Sequence, residues 1–174
     1  GQFNCLASEK ENVVKNCIID LEMHGKLFDL MGLDQNHWAK INIHLGSSCG
    51  GDLQLAANNF INNFKKLTPS VQSRLTVESD DRPSMFSAKF LYENIYKKIK
   101  VPIVFDSHHY SLGPQDASYQ ESFEMAYDSW PTNIRPTCHH SNGKKEFEDP
   151  SIRSAAAHSN YYYKPFNSCG KTVD

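Results

Sequence analysis

Four short apolar runs in this chain each end on a histidine or an acidic residue, and helix-like sequence usually follows. Lys40-Ile41-Asn42-Ile43 runs into His44, and Arg74-Leu75-Thr76-Val77 into Glu78. Val101-Pro102-Ile103-Val104-Phe105 runs into Asp106, with His108 and His109 just beyond, and Asn133-Ile134-Arg135-Pro136-Thr137-Cys138 runs into His139 and His140. A fifth run, Gly1-Gln2-Phe3-Asn4-Cys5, ends on a cysteine instead. In a parallel βα barrel the carboxyl ends of the strands converge on one face, and the chemistry sits there. Separate strand ends delivering imidazoles and carboxylates to one rim would build a multinuclear metal site from segments far apart in sequence.

The stretches between the runs have helical periodicity. Residues 11–31 place Val14, Cys17, Ile18, Leu21, Phe28 and Met31 on one face, with Ser8 and Glu11 reading as a capping box and Gly32 as the stop. A helix over residues 52–66 turns Leu55, Phe60, Ile61 and Phe64 inward, and Thr68-Pro69 reads as the cap and first position of a short turn. Residues 85–98 carry Phe86, Phe90, Leu91 and Ile95. Ser118 and Glu121 open a fourth helix with Phe123, Ala126, Tyr127 and Trp130, and Asp149-Pro150 marks a short fifth. This alternation predicts an α/β fold with a parallel sheet. A complete eightfold barrel takes about 250 residues. The expectation is therefore a single domain over residues 1–174, a partial TIM (β/α) barrel of about five βα units, with a small open α/β sheet as the alternative.

Composition narrows the function. The balance of 18 basic and 20 acidic residues gives a net charge of −2, so bulk electrostatics do not announce a nucleic-acid binder. Lys97, Lys98 and Lys100 read as a solvated helix end, and Lys144-Lys145 as part of a loop. The five cysteines are odd in number and form no C-x-x-C, which argues against a disulfide framework or zinc ribbon and for a reducing compartment. With no signal-peptide pattern and no run long enough to span a bilayer, the expected location is intracellular, cytoplasm or nucleus, with no membrane and no protein partner implied. An apolar strand starts at Gly1 itself, so the chain reads as the interior of a longer protein.

The candidate ligands are His44, Glu78, Asp106, His109 and His139, with His158 in Ala157-His158-Ser159 as a loop addition. Neighbouring residues on a strand face opposite ways, so one of His108/His109 and one of His139/His140 should reach the rim unless the strand has already ended. A rival constellation is Gly46-Ser47-Ser48-Cys49-Gly50, which matches G-x-S-x-G and precedes Asp106 and His139 in the order serine, acid, histidine. Gly50-Gly51-Asp52 delays the helix, however, and a serine triad leaves His44, Glu78 and His109 without a role. The loop suits close backbone approach to a phosphate, or a merely flexible turn. Cys17 belongs to a buried helix face, and Cys5, Cys49 and Cys138 sit near the expected rim. Tyr161-Tyr162-Tyr163 suits either base stacking or packing on the barrel edge.

Several of these pieces, taken together, resemble the UV-damage endonucleases. They are Gly1-Gln2-Phe3, His44-Leu45-Gly46, Leu75-Thr76-Val77-Glu78-Ser79-Asp80-Asp81, Val104-Phe105-Asp106-Ser107-His108-His109, His139-His140-Ser141 and Ala157-His158-Ser159. The resemblance implies a TIM barrel that nicks damaged double-stranded DNA on the 5′ side of a lesion with a cluster of divalent metals, Mn²⁺ first and Mg²⁺ or Zn²⁺ as alternatives. It implies that His44, Glu78, Asp106, His109, His139 and His158 are metal ligands. Glu78, Asp106 and His109 are then the candidate catalytic residues, and Glu78 the bridging carboxylate. It further implies that Gln2 and Phe3 probe the duplex opposite a flipped-out lesion. The family's His ahead of the Gly-Gln pair and its last carboxylate ligand fall outside residues 1–174, and Thr137 stands where members often carry lysine. The alternatives are a metal-dependent sugar isomerase-like barrel enzyme or another hydrolase on the same barrel, and a non-catalytic DNA-binding remnant.

Overall fold

The computed structural model describes residues 5–174. Most of the first expected strand, with Gln2 and Phe3, lies outside the described residues. Among the described residues the other four runs form strands: β1 (Ile41–Ile43), β2 (Leu75–Glu78), β3 (Ile103–Asp106) and β4 (Cys138–His139). They pair in parallel in the order β1-β2-β3-β4. A sheet that adds each new strand on the same side never reverses, as a doubly wound sheet must. Its strand order is that of part of a (β/α) barrel. At the outer edge of β4, the Cys138 N–H donates to the Asp174 carbonyl and the Asp174 N–H to the Pro136 carbonyl, the two bonds a further parallel strand makes.

Helices connect the strands. α1 (Glu11–Leu30) precedes β1, and α2 (Leu53–Phe64) with the short α3 (Pro69–Gln72) joins β1 to β2. From β2 to β3 the chain runs through α4 (Ala88–Leu91), a π turn over Tyr92–Tyr96, and α5 (Lys97–Ile99). α6 (Ser107–Leu112) and α7 (Tyr119–Asp128) lead to β4, and α8 (Lys144–Phe147) follows it. The Ser118–Glu121 capping box forms at the start of α7. The one expected at Ser8 does not: Lys10 takes the N-cap position of α1 without a side-chain bond, and the Ser8 hydroxyl accepts from the Lys10 N–H instead. The short helix expected to open at Asp149-Pro150 does not form; α8 lies before it, so Lys144 and Lys145 are helical rather than in a loop, and Asp149 accepts from the Ser151 N–H in a turn.

The strands alternate between two environments. Ile43, Val77, Ile103 and Phe105 join the main apolar cluster with Phe60, Leu91, Ile95 and Phe123 from the helices. Leu55 and Met31 were expected inward but are exposed, Met31 because it lies past the end of α1. The opposite face carries Asn42, Thr76, Glu78 and His139, linked by hydrogen bonds, and Asp106, which faces His139 across 3.9 Å. The basic group after α4 is surface structure: Lys97 pairs with Glu93 at 2.7 Å, and the Lys100 ammonium lies 4.7 Å from the Tyr96 ring centre. All five cysteines are free. No helix among the described residues is long and apolar enough to cross a membrane.

Candidate metal centre

β2 ends where its apolar sequence ends, and the last side chain, Glu78, is almost fully buried. It is held from several directions. Asn42 Nδ2 donates to Glu78 Oε2 at 2.6 Å, and Thr76 Oγ1 fixes Asn42 by donating to its Oδ1 at 2.9 Å. Glu78 Oε1 lies 3.0 Å from Nδ1 of His139 and 3.3 Å from Nδ1 of His109. Burial alone would raise the Glu78 pKa; the hydrogen bond from His139, with the charges of His139, His44 and His109, outweighs it and lowers the value.

Asp106 ends β3 and caps α6. Its Oδ1 accepts the N–H groups of His108 (2.7 Å) and His109 (2.9 Å), leaving Oδ2 to face the imidazoles of His109 and His139, each 3.9 Å away. The choice between the tandem histidines is settled by this helix. Because the strand ends at Asp106, His109 turns toward Glu78, while His108 packs against Gly143 and the His158 ring. His109 Nδ1 is 2.9 Å from the Ser79 carbonyl. A carbonyl only accepts, so Nδ1 carries the hydrogen and Nε2 keeps its lone pair, the tautomer of a metal-binding histidine. Gly113, just after α6, allows this closure: a Cβ there would lie 2.4 Å from the Asp80 carbonyl.

At the end of β1, His44 lies 5.4 Å from His109 between ring centres, and its Nδ1 is 3.3 Å from Asp80 Oδ1. That contact is an ion pair rather than a directed hydrogen bond, since His44 Nδ1 is buried without a hydrogen-bond partner; the other carboxylate oxygen, Asp80 Oδ2, is likewise buried and unpartnered. Burial pushes the His44 pKa down, but Asp80, Glu78 and Asp81 together raise it. The His139 pKa is raised chiefly by its hydrogen bond to Glu78, against burial.

Two compact donor groups result: His44, Glu78 and His109, and Glu78, Asp106 and His139, each with donor atoms within 4.8 Å of one another. Glu78 belongs to both. His158 belongs to neither. Its ring meets His108 and His109 edge-on, with centres 5.2 and 6.2 Å away, and it lines an open cleft of about 350 Å³ with Asp106, His139, His140, Ser141 and Tyr162. Of the tandem pair at the end of β4, His139 faces Glu78, and His140, just past the strand, turns to Ser107 and the Lys164 carbonyl. The Asn42 clamp and Asp80 were not singled out from the sequence; a polar residue inside an apolar run was the only signal for the first.

The donor set suits divalent cations. Glu78, Asp80 and Asp106 are three buried carboxylates, and among the described residues their ion-pair partners are all imidazoles, with no Lys or Arg. Imidazoles, even with raised pKa values as at His44 and His139, lose their charge as pH rises where Lys and Arg keep theirs, and buried charges must be paired or bind metal. Mixed imidazole and carboxylate shells are those of Mn²⁺, Zn²⁺ and similar ions. Thr137, two residues before His139, adds no charge, and its buried Oγ1 has no hydrogen-bond partner.

Comparison with known proteins agrees with this architecture. The UV DNA damage endonuclease of Bacillus cereus (strain Q1) is 32% identical over 181 residues, covering 100% of this chain and 53% of that protein. The same figures hold for the one from Bacillus anthracis (strain A0248). The crystal structure of SacUVDE superposes with a TM-score of 0.74 at 33% identity, over 87% of this chain and 49% of that one. The chain thus spans about half the length of the curated relatives it matches. The family model described as UV-endonuclease UvdE matches residues 1–174 throughout, and the chain belongs to that family.

Proposed function

We propose that this chain carries the metal-holding part of a DNA repair endonuclease, one that nicks the phosphodiester backbone 5′ to ultraviolet photoproducts and other lesions in double-stranded DNA. The observation that carries this reading is Glu78, shared by two donor groups built from four strand ends. His44, Glu78, Asp106, His109 and His139 would hold the cations, Mn²⁺ first among them, with His158 closing the cleft beside them. When bound, the cations supply Lewis-acid activation of water and neutralise charge at the phosphate.

The chain's own residues prepare the site. Asn42 fixes the carboxylate of Glu78, so its second oxygen points to the imidazoles. Asp106 is oriented by two backbone N–H groups at the start of α6. The Ser79 carbonyl sets the tautomer of His109. These contacts pre-align the donors, which lowers the reorganisation needed for metal binding and phosphate chemistry. Gln2 and Phe3 would probe the lesion. Such an enzyme works where DNA is kept, inside the cell.

Two measurements test the reading. Titration calorimetry with Mn²⁺ should detect about two cations per chain. A nicking assay should show slow cleavage of irradiated plasmid, none of intact plasmid, and none with a chelator. Absence of metal binding, or equal nicking of both plasmids, would refute it.

A further inference from the structure

Of the run Tyr161-Tyr162-Tyr163, Tyr162 lines the cleft and is 78% exposed. It is not loose. Asn142 is buried, and its Oδ1 accepts the N–H groups of Tyr163 (2.6 Å) and Lys164 (3.1 Å), while its carbonyl accepts the Ser159 N–H (2.8 Å). Tyr162 lies on His140, with ring centres 5.7 Å apart and planes 11° from parallel. His140 in turn is held at both nitrogens. Nε2 is 2.7 Å from the Lys164 carbonyl and so carries the hydrogen, and Nδ1 accepts from Ser107 Oγ at 2.7 Å. Phe166 supports the same imidazole, with ring centres 5.6 Å apart. Beside this stack Tyr163 lies flat on Phe147, at 5.1 Å and 7°, and the Lys164 ammonium sits 4.8 Å from the Phe147 ring centre.

Tyr162 lines the same cleft as Asp106, His139 and His158. We propose that Tyr162, braced on His140, is the stacking platform for a nucleobase of the strand whose phosphate meets the Glu78–Asp106–His139 group. This rests on the nuclease reading above. A rigid aromatic ring, backed on one side and open on the other, matches a base, whose flat face is its one sequence-independent feature. Sequence tolerance suits an enzyme that must act at lesions in any context. Lys144 and Lys145, on the helix that carries Phe147, bring positive charge to this side of the cleft, while Lys164 is ion-paired with Glu146 at 3.1 Å. Tyr162 is a positioning residue here: it touches the base and leaves the metal donors alone.

The test compares the full chain with its Tyr162→Leu and Tyr162→Phe variants. The probe is a duplex with one photoproduct and a flanking 2-aminopurine, whose fluorescence reports stacking, and Mn²⁺ binding is followed by calorimetry. The platform predicts that Tyr162→Leu weakens duplex binding about five- to hundredfold. The same variant should lose the 2-aminopurine quenching, while Tyr162→Phe keeps both and all three proteins bind Mn²⁺ alike. Equal DNA binding by all three, no DNA binding by the metal-loaded parent, or a Leu variant altered only in its oligomeric state would overturn the platform. Tyr162-dependent binding without any Mn²⁺ binding would instead overturn the metal reading and leave the platform standing.

Discussion

Arg74 and Glu78 stand at opposite ends of one four-residue strand and its approach, both buried and both ionisable, yet their surroundings differ in kind. At the base, Arg74 is hydrogen-bonded at all three of its nitrogens. Its guanidinium donates to the Leu33, Asp34 and Ser70 carbonyls, the Ser70 hydroxyl and Asp29, tying α1 and α3 to β2. At the rim, Glu78 and its neighbours are balanced only by histidines, whose charge is lost as pH rises, and His44 and Asp80 have buried polar atoms without hydrogen-bond partners. A buried charge hydrogen-bonded at every nitrogen and paired with a carboxylate stabilises the fold; a buried carboxylate cluster paired only with titratable imidazoles is prepared for something that arrives later. The amino and carboxyl ends of barrel strands divide in this way between stability and chemistry.

The comparison breaks most easily at Glu78. Glu78→Gln preserves the shape but removes the shared carboxylate charge, so Mn²⁺ affinity measured by calorimetry should fall more than about a hundredfold, beyond the usual cost of losing a supporting group. The metal-free protein should unfold in urea within about 1 kcal/mol of the parent. If Glu78→Gln instead collapses the fold while leaving metal binding intact, the rim cluster is structural and the contrast between the two ends is wrong.

Arg74→Met should do the reverse. It leaves the three carbonyls without a buried donor, at a cost of about 3 kcal/mol in urea denaturation. Its Mn²⁺ affinity should stay within about twofold of the parent at temperatures where it is folded. A large loss of metal affinity in the folded variant would mean that the base positions the rim, and that the two ends are one mechanical unit.

How much of this was legible in the sequence follows from the range of each interaction. His44, Glu78, Asp106 and His139 were readable because each interrupts an apolar run, and a short parallel strand can end only where its apolar residues do. The Ser118–Glu121 box was readable because it closes within four residues. Ser8 carries the same local signal, but its hydroxyl accepts from Lys10 and the cap is not made. α6 was missed: Ser107–Leu112 is too short and polar to show an apolar period. Its presence is what sends His109 to the site and His108 away. Asn42 and Asp80 matter only through the register of β1 against β2 and the closure of α6 on the Asp80 backbone, and no local pattern encodes either.

The finest test is pH, because metal-free and metal-loaded protein should respond with opposite signs. In the metal-free protein the pKa values of His44 and His139 lie above the ordinary 6.5, held there by Asp80 and Glu78. The unfolded chain therefore binds fewer protons than the folded one above about pH 6.5, and stability from these groups is full below that pH and is lost as pH rises through their raised values. Glu78 works the other way: its lowered pKa contributes stability above the ordinary 4.5, lost as pH falls through the folded value. The cluster thus favours the metal-free fold most between about pH 4.5 and 6.5. A cation needs the imidazoles neutral, so metal binding strengthens as pH rises over the range in which the metal-free protein weakens. Thermal melts from pH 5.5 to 8.5, with and without saturating Mn²⁺, should diverge steadily with pH. Parallel curves would mean that the histidines at the rim do not exchange protons for metal. Glu78→Gln should make both curves shallower, leaving the part due to His44 and Asp80, while Arg74→Met merely lowers them, because only one end of β2 titrates in this range.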